Sequence, residues 1–376
     1  MAFALSGARV FDGDSIRNGL AVVIDGARIV EVVSNEKLDS GIERRVLNGG
    51  ILAPGFIDVQ VNGGGGALLN DNPTIDTVRR IVESHRKFGT TGMLPTVITD
   101  APAVLSQAIA SVKAARAKSV PGVLGIHIEG PFLDREHKGA HEQRFIREMT
   151  EADLVRIANA DCGCIMLTLA ANRVPPAMIK SLAGKGVLVS LGHSAASFAE
   201  AAEALAAGAR AFTHLFNAMS QMTGREPGMV GAALADPNSF CGLIADGFHI
   251  HDAAMKLALA AKPHSRIMLV TDAMPTAAGG PEGFELQGRA VRRLKGKLVL
   301  EDGTLAGSNL TMDEALRHCV ERLGVSVEDA LRMASLNPAA FLKREHELGR
   351  IKSGYLASLV HLSNDLRIVE TWVDGK

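Results

Sequence analysis

Short runs of hydrophobic residues alternate with segments of helical periodicity through the middle of the chain. The helical pattern is clear over Thr74–Phe88, Pro102–Ala117 and Ser197–Ala207. Alternating strands and helices are typical of α/β proteins with a parallel sheet. Eight such units predict a (β/α)8 TIM-like barrel. The predicted strands are Gly55–Val61, Thr91–Val97, Val123–Ile128, Ile165–Leu169, Val187–Leu191, Ala209–Thr213, Phe240–Ala245 and Ile267–Thr271.

The segment after the first predicted strand favours a barrel over a doubly wound open sheet. An open sheet that binds a dinucleotide carries a G-x-G-x-x-G fingerprint at this place. Here Asn62 is followed by four consecutive glycines, Gly63–Gly66, which lack that spacing. We interpret them as a mobile loop over a site.

The two ends of the chain have a different pattern from the middle. Residues 1–53 contain short β-branched segments separated by turns such as Asp25-Gly26, and residues 357–373 continue this pattern with a turn at Asn364-Asp365. We expect both ends to pack into one small β-sandwich domain, formed by residues 1–53 and 340–376. The barrel, residues 54–339, would then be inserted between them.

Histidines and carboxylates follow the predicted strands at their carboxyl ends. This is where active sites lie in (β/α)8 barrels. Histidine or carboxylate ends five of the eight strands, whereas a chance layout would scatter the 12 histidines along the chain. The residues are His127 and Glu129 after the third strand, His193 after the fifth, His214 after the sixth, Asp246 and His249 after the seventh, and Asp272 after the eighth.

Three of these residues form a predicted metal site. Glu129, His193 and His214 supply one carboxylate and two imidazoles, a common catalytic zinc set that leaves a position for water. Any one of them alone fits a loop or core position better, but their joint placement favours a metal. Asp272 is placed to accept a proton from water, with a helix N-cap as its structural alternative. His127 shares a strand face with Glu129 and is expected to support the site rather than to bind metal.

Composition argues against several classes of partner. The formal net charge is −1 and no long Lys/Arg run stands out, which gives little support to nucleic acid or membrane partners. The four cysteines form no C-x-x-C pair, so we expect reduced thiols. No apolar stretch is long enough to span a membrane, and the first 16 residues do not have the pattern of a signal peptide. A cytoplasmic location is therefore expected.

Nine sequence blocks together resemble the N-acetylglucosamine-6-phosphate deacetylases of the amidohydrolase superfamily. The resemblance runs over nearly the whole chain, and only the combination of blocks is specific. One departure is Ala171-Asn172, where the family often has Pro-Glu. The blocks are Pro54–Gly63, His127–Pro131, Lys138–His141, Gly192–Ser194, Thr213–Met219, Gly224–Gly228, Ala245–His249, Leu269–Ala273 and Leu305–Ser308.

The resemblance implies roles for individual residues. Glu129, His193 and His214 match the metal ligands, Asp272 the catalytic acid/base, and His141 a histidine that polarises the acetyl carbonyl. The superfamily often has two histidines where this chain has amides, which implies one divalent metal per subunit. Zinc is favoured, and Fe²⁺, Mn²⁺ and Co²⁺ are alternatives. The expected substrate-binding residues are Asn217, Ala218, Arg225, His249, Gln60 and Asn62.

The resemblance also implies a reaction and an assembly. The reaction is hydrolytic deacetylation of N-acetyl-D-glucosamine 6-phosphate by metal-activated water, in amino-sugar catabolism and cell-wall sugar recycling. The assembly is a homodimer with shared active sites. Alternatives are an N-acetylgalactosamine-6-phosphate deacetylase or another amide hydrolase of the superfamily. A barrel without catalysis, or a module that only binds phosphate, is disfavoured because the three ligands and Asp272 are all present.

Overall fold

Eight parallel strands form the centre of the structure, a computed structural model that describes residues 2–376. Each strand pairs with the next one along the chain, and each lies within or overlaps a predicted run, so the predicted barrel is confirmed. A parallel bridge between Val61 and Ala273 joins the last strand segment to the first. The strands are Phe56–Val61, Thr90–Ile98, Gly125–Glu129, Cys164–Leu169, Leu188–Leu191, Ala211–Phe212, Phe240–Leu243 and Ile267–Leu269.

Helices cover the outside of this barrel and follow the strands. The three segments with clear helical periodicity are helices, and the first is capped by Thr74, whose hydroxyl accepts a hydrogen bond from the Thr77 backbone. The helices are α1 (Ile75–Arg86), α2 (Pro102–Ala117), α3 (Glu151–Ala158), α4 (Pro176–Gly184), α5 (Phe198–Ala206), α6 (Gly228–Ala235), α7 (Asp252–Ala261), α8 (Met312–Glu321), α9 (Val327–Ala334) and α10 (Leu336–Phe341). Short 3-10 turns lie at Asn35–Lys37, Gln143–Phe145 and His264–Arg266.

Both ends of the chain contribute to a second, smaller set of sheets. A five-stranded sheet contains, in spatial order, Ile368–Trp372, Leu359–Leu362, Ile51–Pro54, Arg9–Phe11 and Ile16–Arg17. A four-stranded sheet contains Arg28–Ser34, Leu20–Asp25, Phe3–Ser6 and Glu43–Val46. Side chains from both of these sheets, including Leu5, Ile24 and Trp372, form a hydrophobic cluster that is separate from the core of the barrel. We therefore propose that residues 1–53 and 340–376 form the small domain and that residues 54–339 form the barrel domain.

A three-stranded antiparallel sheet lies between the eighth strand and α8, where sequence analysis placed no strands. It consists of Gly283–Leu286, Arg289–Leu294 and Lys297–Val299, and we call it the insert sheet. One face packs into a small cluster of its own through Leu286, Val291 and Leu298. Its middle strand reads RAVRRL, and the charged residues on the exposed face obscure the alternation that predicts a strand.

The predicted mobile loop at Gly63–Gly66 is instead a packed hairpin. Gly63–Gly64 pairs with Ala67–Leu68, and both of these glycines are buried. A Cβ atom on Gly64 would lie 2.5 Å from the His85 ring, so glycine is required for this close approach to α1. His85 in turn contacts the Gly63 carbonyl at 2.9 Å.

All four cysteines are free thiols, as predicted. Over residues 2–376, none of the helices has the length and apolar character required to cross a bilayer.

Candidate active site

Glu129, His193 and His214 converge at the carboxyl end of the barrel. They come from the ends of the third, fifth and sixth strands, and all three are buried. Their ligand atoms all lie within 4.8 Å of one another. Glu129 Oε1 is 3.2 Å from His193 Nε2 and 3.1 Å from His214 Nε2, and the two imidazole nitrogens are 2.9 Å apart. The predicted cluster is therefore present.

The chemistry of this cluster fits a divalent metal. His193 Nδ1 lies 2.9 Å from the His137 carbonyl, which can only accept, so in the neutral ring Nδ1 carries the proton and Nε2 presents a lone pair. Nε2 faces a carboxylate oxygen and a second imidazole nitrogen. Three mutually facing electron-pair donors at about this spacing are what a tetrahedral ion requires.

The charges of these groups also favour a cation between them. Burial alone would raise the pKa of Glu129, but the close contacts with the His193 and His214 imidazoles outweigh burial and hold this pKa well below its usual value. Burial lowers the pKa of His193. Burial would also lower the pKa of His214, but the contact with Glu129 outweighs it and raises the pKa. Glu129 is thus a buried, ionised carboxylate, and a positive charge beside it would stabilise it.

Asp272 lies beside the cluster, and two amides hold one of its oxygens. Asn62 Nδ2 donates to Asp272 Oδ1 at 2.6 Å, and Gln60 Nε2 donates to the same atom at 3.2 Å. Gln60 also donates to Glu129 at 3.1 Å. Among residues 2–376, no hydrogen bond involves Asp272 Oδ2. Burial and the neighbouring Glu129 carboxylate raise the pKa of Asp272, which suits a group that must take up a proton.

His141 packs against the metal cluster from the loop after the third strand. Its ring centroid is 4.4 Å from that of His193 in an edge-on arrangement. Burial and the charge at His193 hold the pKa of His141 well below its usual value, so the ring is neutral. Its Nδ1 is 2.8 Å from the Thr99 hydroxyl, at the end of the second strand. This hydroxyl also lies 3.3 Å from the Glu129 carbonyl, so it links the His141 ring to the end of the third strand.

These groups line one cavity of about 330 Å³ at the barrel mouth, large enough for a monosaccharide derivative. Asn217, Ala218 and His249 line it at the side of the sixth and seventh strands, as the resemblance implied. His249 Nδ1 is 2.7 Å from Asp246, which holds the ring in place. The opposite wall includes His137, Gly139, Ala140, Met274, Thr304, Leu305 and Gly307.

Three expected substrate-binding residues, Arg225, Gln60 and Asn62, do not all line the cavity, and their role in substrate binding stays a prediction. Arg225 is exposed on a turn before α6 and does not line this cavity. Gln60 is 1% exposed and does not line it either. Asn62 does line the cavity, but its amide donates to Asp272. The two amides therefore support the carboxylate, and sequence pattern alone does not separate this position from substrate contact. His127 is buried below the cluster and contacts the Thr168 hydroxyl at 2.7 Å, a supporting position as expected.

Three of the functional strand ends have strained backbone conformations. His193, His214 and Asp272 have φ values of 49°, 34° and 51°, in the left-handed region that non-glycine residues rarely adopt. Such conformations cost of order 1–3 kcal/mol each and persist where the surrounding structure fixes them. The chain thus turns sharply after each of these strands and directs the side chains into the mouth.

Sequence analysis gave no role to Thr99, Gln287 or Arg289. Thr99 follows the second strand, but only histidines and carboxylates were considered as candidates at the strand ends, so a threonine was not predicted. Gln287 and Arg289 flank the turn of the insert sheet and reach the loops beside the cavity. These contacts join residues about 150 or more positions apart in the chain, and no local pattern in the sequence indicates them.

A closed parallel barrel with a carboxylate, two imidazoles and a separate aspartate at its mouth defines the class of metal-dependent barrel hydrolases. The chain belongs to the amidohydrolase family, whose sequence profile matches residues 51–376. Residues 2–52 match the profile of the NagA composite domain.

Three relatives illustrate how near the similarity is. An N-acetylgalactosamine-6-phosphate deacetylase of Shewanella sp. (strain ANA-3) is 43% identical over 88% of this chain and 84% of its own. The crystal structure of an N-acetylglucosamine-6-phosphate deacetylase from Pasteurella multocida is 33% identical, with a TM-score of 0.97 over 100% of this chain and 99% of its own. A mutant deacetylase from Mycobacterium smegmatis, in complex with N-acetyl-D-glucosamine-6-phosphate, is 28% identical, with a TM-score of 0.93 over 100% and 98%.

Proposed function

We propose that this protein hydrolyses the acetamide of N-acetyl-D-glucosamine 6-phosphate to D-glucosamine 6-phosphate and acetate. The observation that carries the proposal is the placement of Asp272 and His141 around the Glu129, His193 and His214 cluster in one cavity. The full-length similarity to the Pasteurella and Mycobacterium deacetylases supports the choice of substrate.

One divalent metal, held by Glu129, His193 and His214, would polarise the acetyl carbonyl and lower the pKa of a nearby water. Two imidazoles and a carboxylate favour zinc, and Fe²⁺, Mn²⁺ and Co²⁺ accept the same donors. At the first strand, Gln60 and Asn62 offer neutral amides that are already engaged with Asp272, which supports a single ion.

Asp272 moves the proton. Asn62 and Gln60 donate to its Oδ1, so Oδ2 is the atom that accepts a proton from the attacking water. The raised pKa of Asp272 makes this transfer easier and lets the same oxygen protonate the departing amine. The two amides fix the orientation of the carboxylate in both steps.

His141 stabilises the negative charge that develops on the carbonyl oxygen. To donate from Nε2 while neutral, the ring must accept a hydrogen bond at Nδ1. The Thr99 hydroxyl, 2.8 Å from Nδ1, can donate it by turning its hydrogen away from the Glu129 carbonyl, which lies 3.3 Å away. A donor placed in this way is worth about 3–4 kcal/mol in the transition state. The loop that carries His141 also narrows the mouth of the cavity.

The phosphate is bound at the side of the cavity formed by Asn217, Ala218 and His249. With a net charge of −1 the protein has no broad positive field, so affinity must come from specific charge-assisted bonds. Arg225 is exposed outside its own cavity, which supports a homodimer in which it reaches the cavity of the partner subunit.

The second candidate substrate is N-acetyl-D-galactosamine 6-phosphate. The Shewanella relative named for this substrate is 43% identical, whereas the Pasteurella and Mycobacterium proteins named for the gluco epimer are 33% and 28% identical. The two sugars differ only in the orientation of one hydroxyl, and both carry the acetamide on which Asp272 and His141 are proposed to act.

Acetate release from both 6-phosphate epimers, and from unphosphorylated N-acetylglucosamine, tests the proposal. We expect the highest kcat/KM with the gluco epimer and little activity without phosphate. A higher kcat/KM for the galacto epimer would move the assignment to the second candidate. No acetate from either phosphate, with metal bound, would contradict both.

A further inference from the structure

We propose that the turn of the insert sheet, Gln287–Arg289, positions His141 in the active site. This inference rests on the proposed role of His141 in deacetylation. It assigns to the insert sheet a function beyond packing, and it makes Arg289 and Gln287 positioning residues for a reaction whose atoms they do not touch.

Arg289 holds the residue before His141 by a hydrogen bond and lies near the residue after it. Its Nη2 donates to the carbonyl of Ala140 at 2.6 Å, one residue before the histidine. Its Nε lies 3.8 Å from the carboxylate of Glu142, one residue after it. The hydrogen bond restrains the backbone at Ala140, and the longer ion pair adds a weak attraction to Glu142.

Gln287 forms a hydrogen bond with Thr99, the residue whose hydroxyl contacts the His141 ring. Its Nε2 donates to the Thr99 carbonyl at 2.8 Å and to Asp100 Oδ2 at 2.9 Å. The hydroxyl of the same Thr99 is 2.8 Å from His141 Nδ1. The backbone of His141 and its hydrogen-bond partner therefore belong to two loops, and a single turn holds both.

The turn has a defined hairpin geometry and a buried apolar base, and we call Gln287–Arg289 the clamp. Gln287 and Gly288 have φ values of 52° and 80°, which is the backbone of a two-residue type I′ hairpin turn. Behind it, Leu286, Val291 and Leu298 are buried against residues at the barrel mouth, including Ile98 and Met274. The Ala140 side chain packs against this same cluster, so the loop of His141 is also held by apolar contact.

The other end of that loop is anchored independently. The Asp134 backbone N–H donates to the His193 carbonyl at 2.9 Å, and the Asp134 carboxylate accepts from Asn172 and Arg173. The contact between the His137 carbonyl and His193 Nδ1 belongs to this end. Loss of Arg289 should therefore disturb His141 without disturbing the metal ligands.

A double-mutant cycle between Arg289→Ala and His141→Ala tests the clamp. We expect Arg289→Ala to lower kcat about 10-fold, with KM for the phosphorylated sugar and metal content unchanged. In the His141→Ala background the same change should have no further effect, because the group it positions is already missing. Arg292→Ala is the matched control, since this arginine lies exposed on the same strand, and it should retain full kcat.

Several results would overturn the clamp. A wild-type kcat in Arg289→Ala contradicts it, as does an equal loss in both backgrounds. An Arg289→Lys variant keeps a donor for the Ala140 carbonyl and should retain more activity than Arg289→Ala; equal loss in the two, with metal bound and Tm unchanged, contradicts positioning by this bond. Full activity of His141→Ala would remove the clamp's target while leaving the deacetylase assignment intact. Absence of acetate release by the wild-type protein would instead contradict the proposed function.

Discussion

At the scale of single residues, the site separates the group that moves a proton from the groups that hold it in place. Asp272 has one oxygen engaged by Asn62 and Gln60 and one oxygen toward which no residue among 2–376 donates. His141 has one nitrogen engaged by Thr99. In both cases the supporting contact determines which atom is left for the substrate.

Replacement of Asp272 by Asn should abolish most turnover without unfolding the protein. Asn tolerates the left-handed backbone at this position nearly as well as Asp, but it does not take up a proton. We expect kcat to fall at least about 100-fold. Steady-state kinetics on protein with confirmed metal content check this, and a near-normal kcat would rule out Asp272 as the proton acceptor.

Thr99→Val should impair catalysis through His141. Valine has nearly the same shape but no hydroxyl, so His141 Nδ1 loses its partner and the proton is no longer directed to Nε2. Loss of one such hydrogen bond, at about 1 kcal/mol, should lower kcat roughly 5- to 10-fold. Thr99→Ser retains the hydroxyl and serves as the control. Equal kcat values for the Val and Ser variants would show that the hydroxyl does not act on His141.

The sequence predicts the main residues of the site but not their supports. Glu129, His193, His214 and Asp272 follow apolar runs, so strand periodicity places them at one end of the barrel. Thr99 and Arg289 act through contacts between segments distant along the chain, and neither residue type marks a site by itself. For Gln60 and Asn62 the position was predicted, but their hydrogen bonds to Asp272 depend on how the first and eighth strands meet.

At the scale of elements, the first and eighth strands join around a buried carboxylate. Asp58 accepts a hydrogen bond from the Thr271 hydroxyl at 2.6 Å and is fully buried. Burial raises the pKa of Asp58 to about 7 from the ordinary 3.8. Below about pH 4 this carboxyl is protonated in the folded and the unfolded chain alike. Between about pH 4 and pH 7 only the unfolded chain releases the proton. The free energy of unfolding therefore falls as pH rises toward 7.

Asp58→Asn should therefore reduce the pH dependence of stability. One titrating group contributes about 1.4 kcal/mol per pH unit, so between about pH 5 and about pH 6.5 the wild-type protein should lose about 2 kcal/mol more than the variant. Urea unfolding at both pH values measures this difference. Asp76→Asn, at an exposed carboxylate in α1, should behave as the wild type. The same loss in wild type and Asp58→Asn would show that Asp58 does not titrate in this range.

Periodicity predicts the barrel elements well because the strands are buried on both faces and read as mostly apolar runs with few polar residues. Hydrophobic periodicity does not predict the insert sheet, because only one of its faces is buried. The glycine-rich segment at Gly63–Gly66 was also misread. Its glycines reflect close packing against His85, which a search for loops does not distinguish from mobility.

At the scale of the whole molecule, we propose that a homodimer forms in which Arg225 of each subunit completes the phosphate site of the other. Arg225 lies outside the cavity of its own subunit. We expect Arg225→Ala to raise KM for the phosphorylated sugar about 10-fold or more, because a charge-assisted bond is worth about 1.5–3 kcal/mol. Activity on the unphosphorylated sugar should hardly change. Equal losses on both substrates would mean that Arg225 has a structural role.

Mixing Arg225→Ala subunits with Asp272→Asn subunits tests the sharing. If Arg225 serves the partner, each mixed dimer has one intact site and one site with both defects. Random exchange should then restore about a quarter of the wild-type activity, since half of the dimers are mixed and each has one intact site of two. No recovery, with subunit exchange verified by mass, would assign Arg225 to its own subunit's site.

Dependence of acetate release on metal tests the central claim most directly. The protein is stripped with a chelator, dialysed and titrated with Zn²⁺, and acetate release from N-acetyl-D-glucosamine 6-phosphate is measured at each step. We expect negligible turnover in the stripped protein and a rise that saturates at one equivalent per chain, with no such rise in His193→Ala. Full turnover without metal, or saturation only at two equivalents, would contradict it.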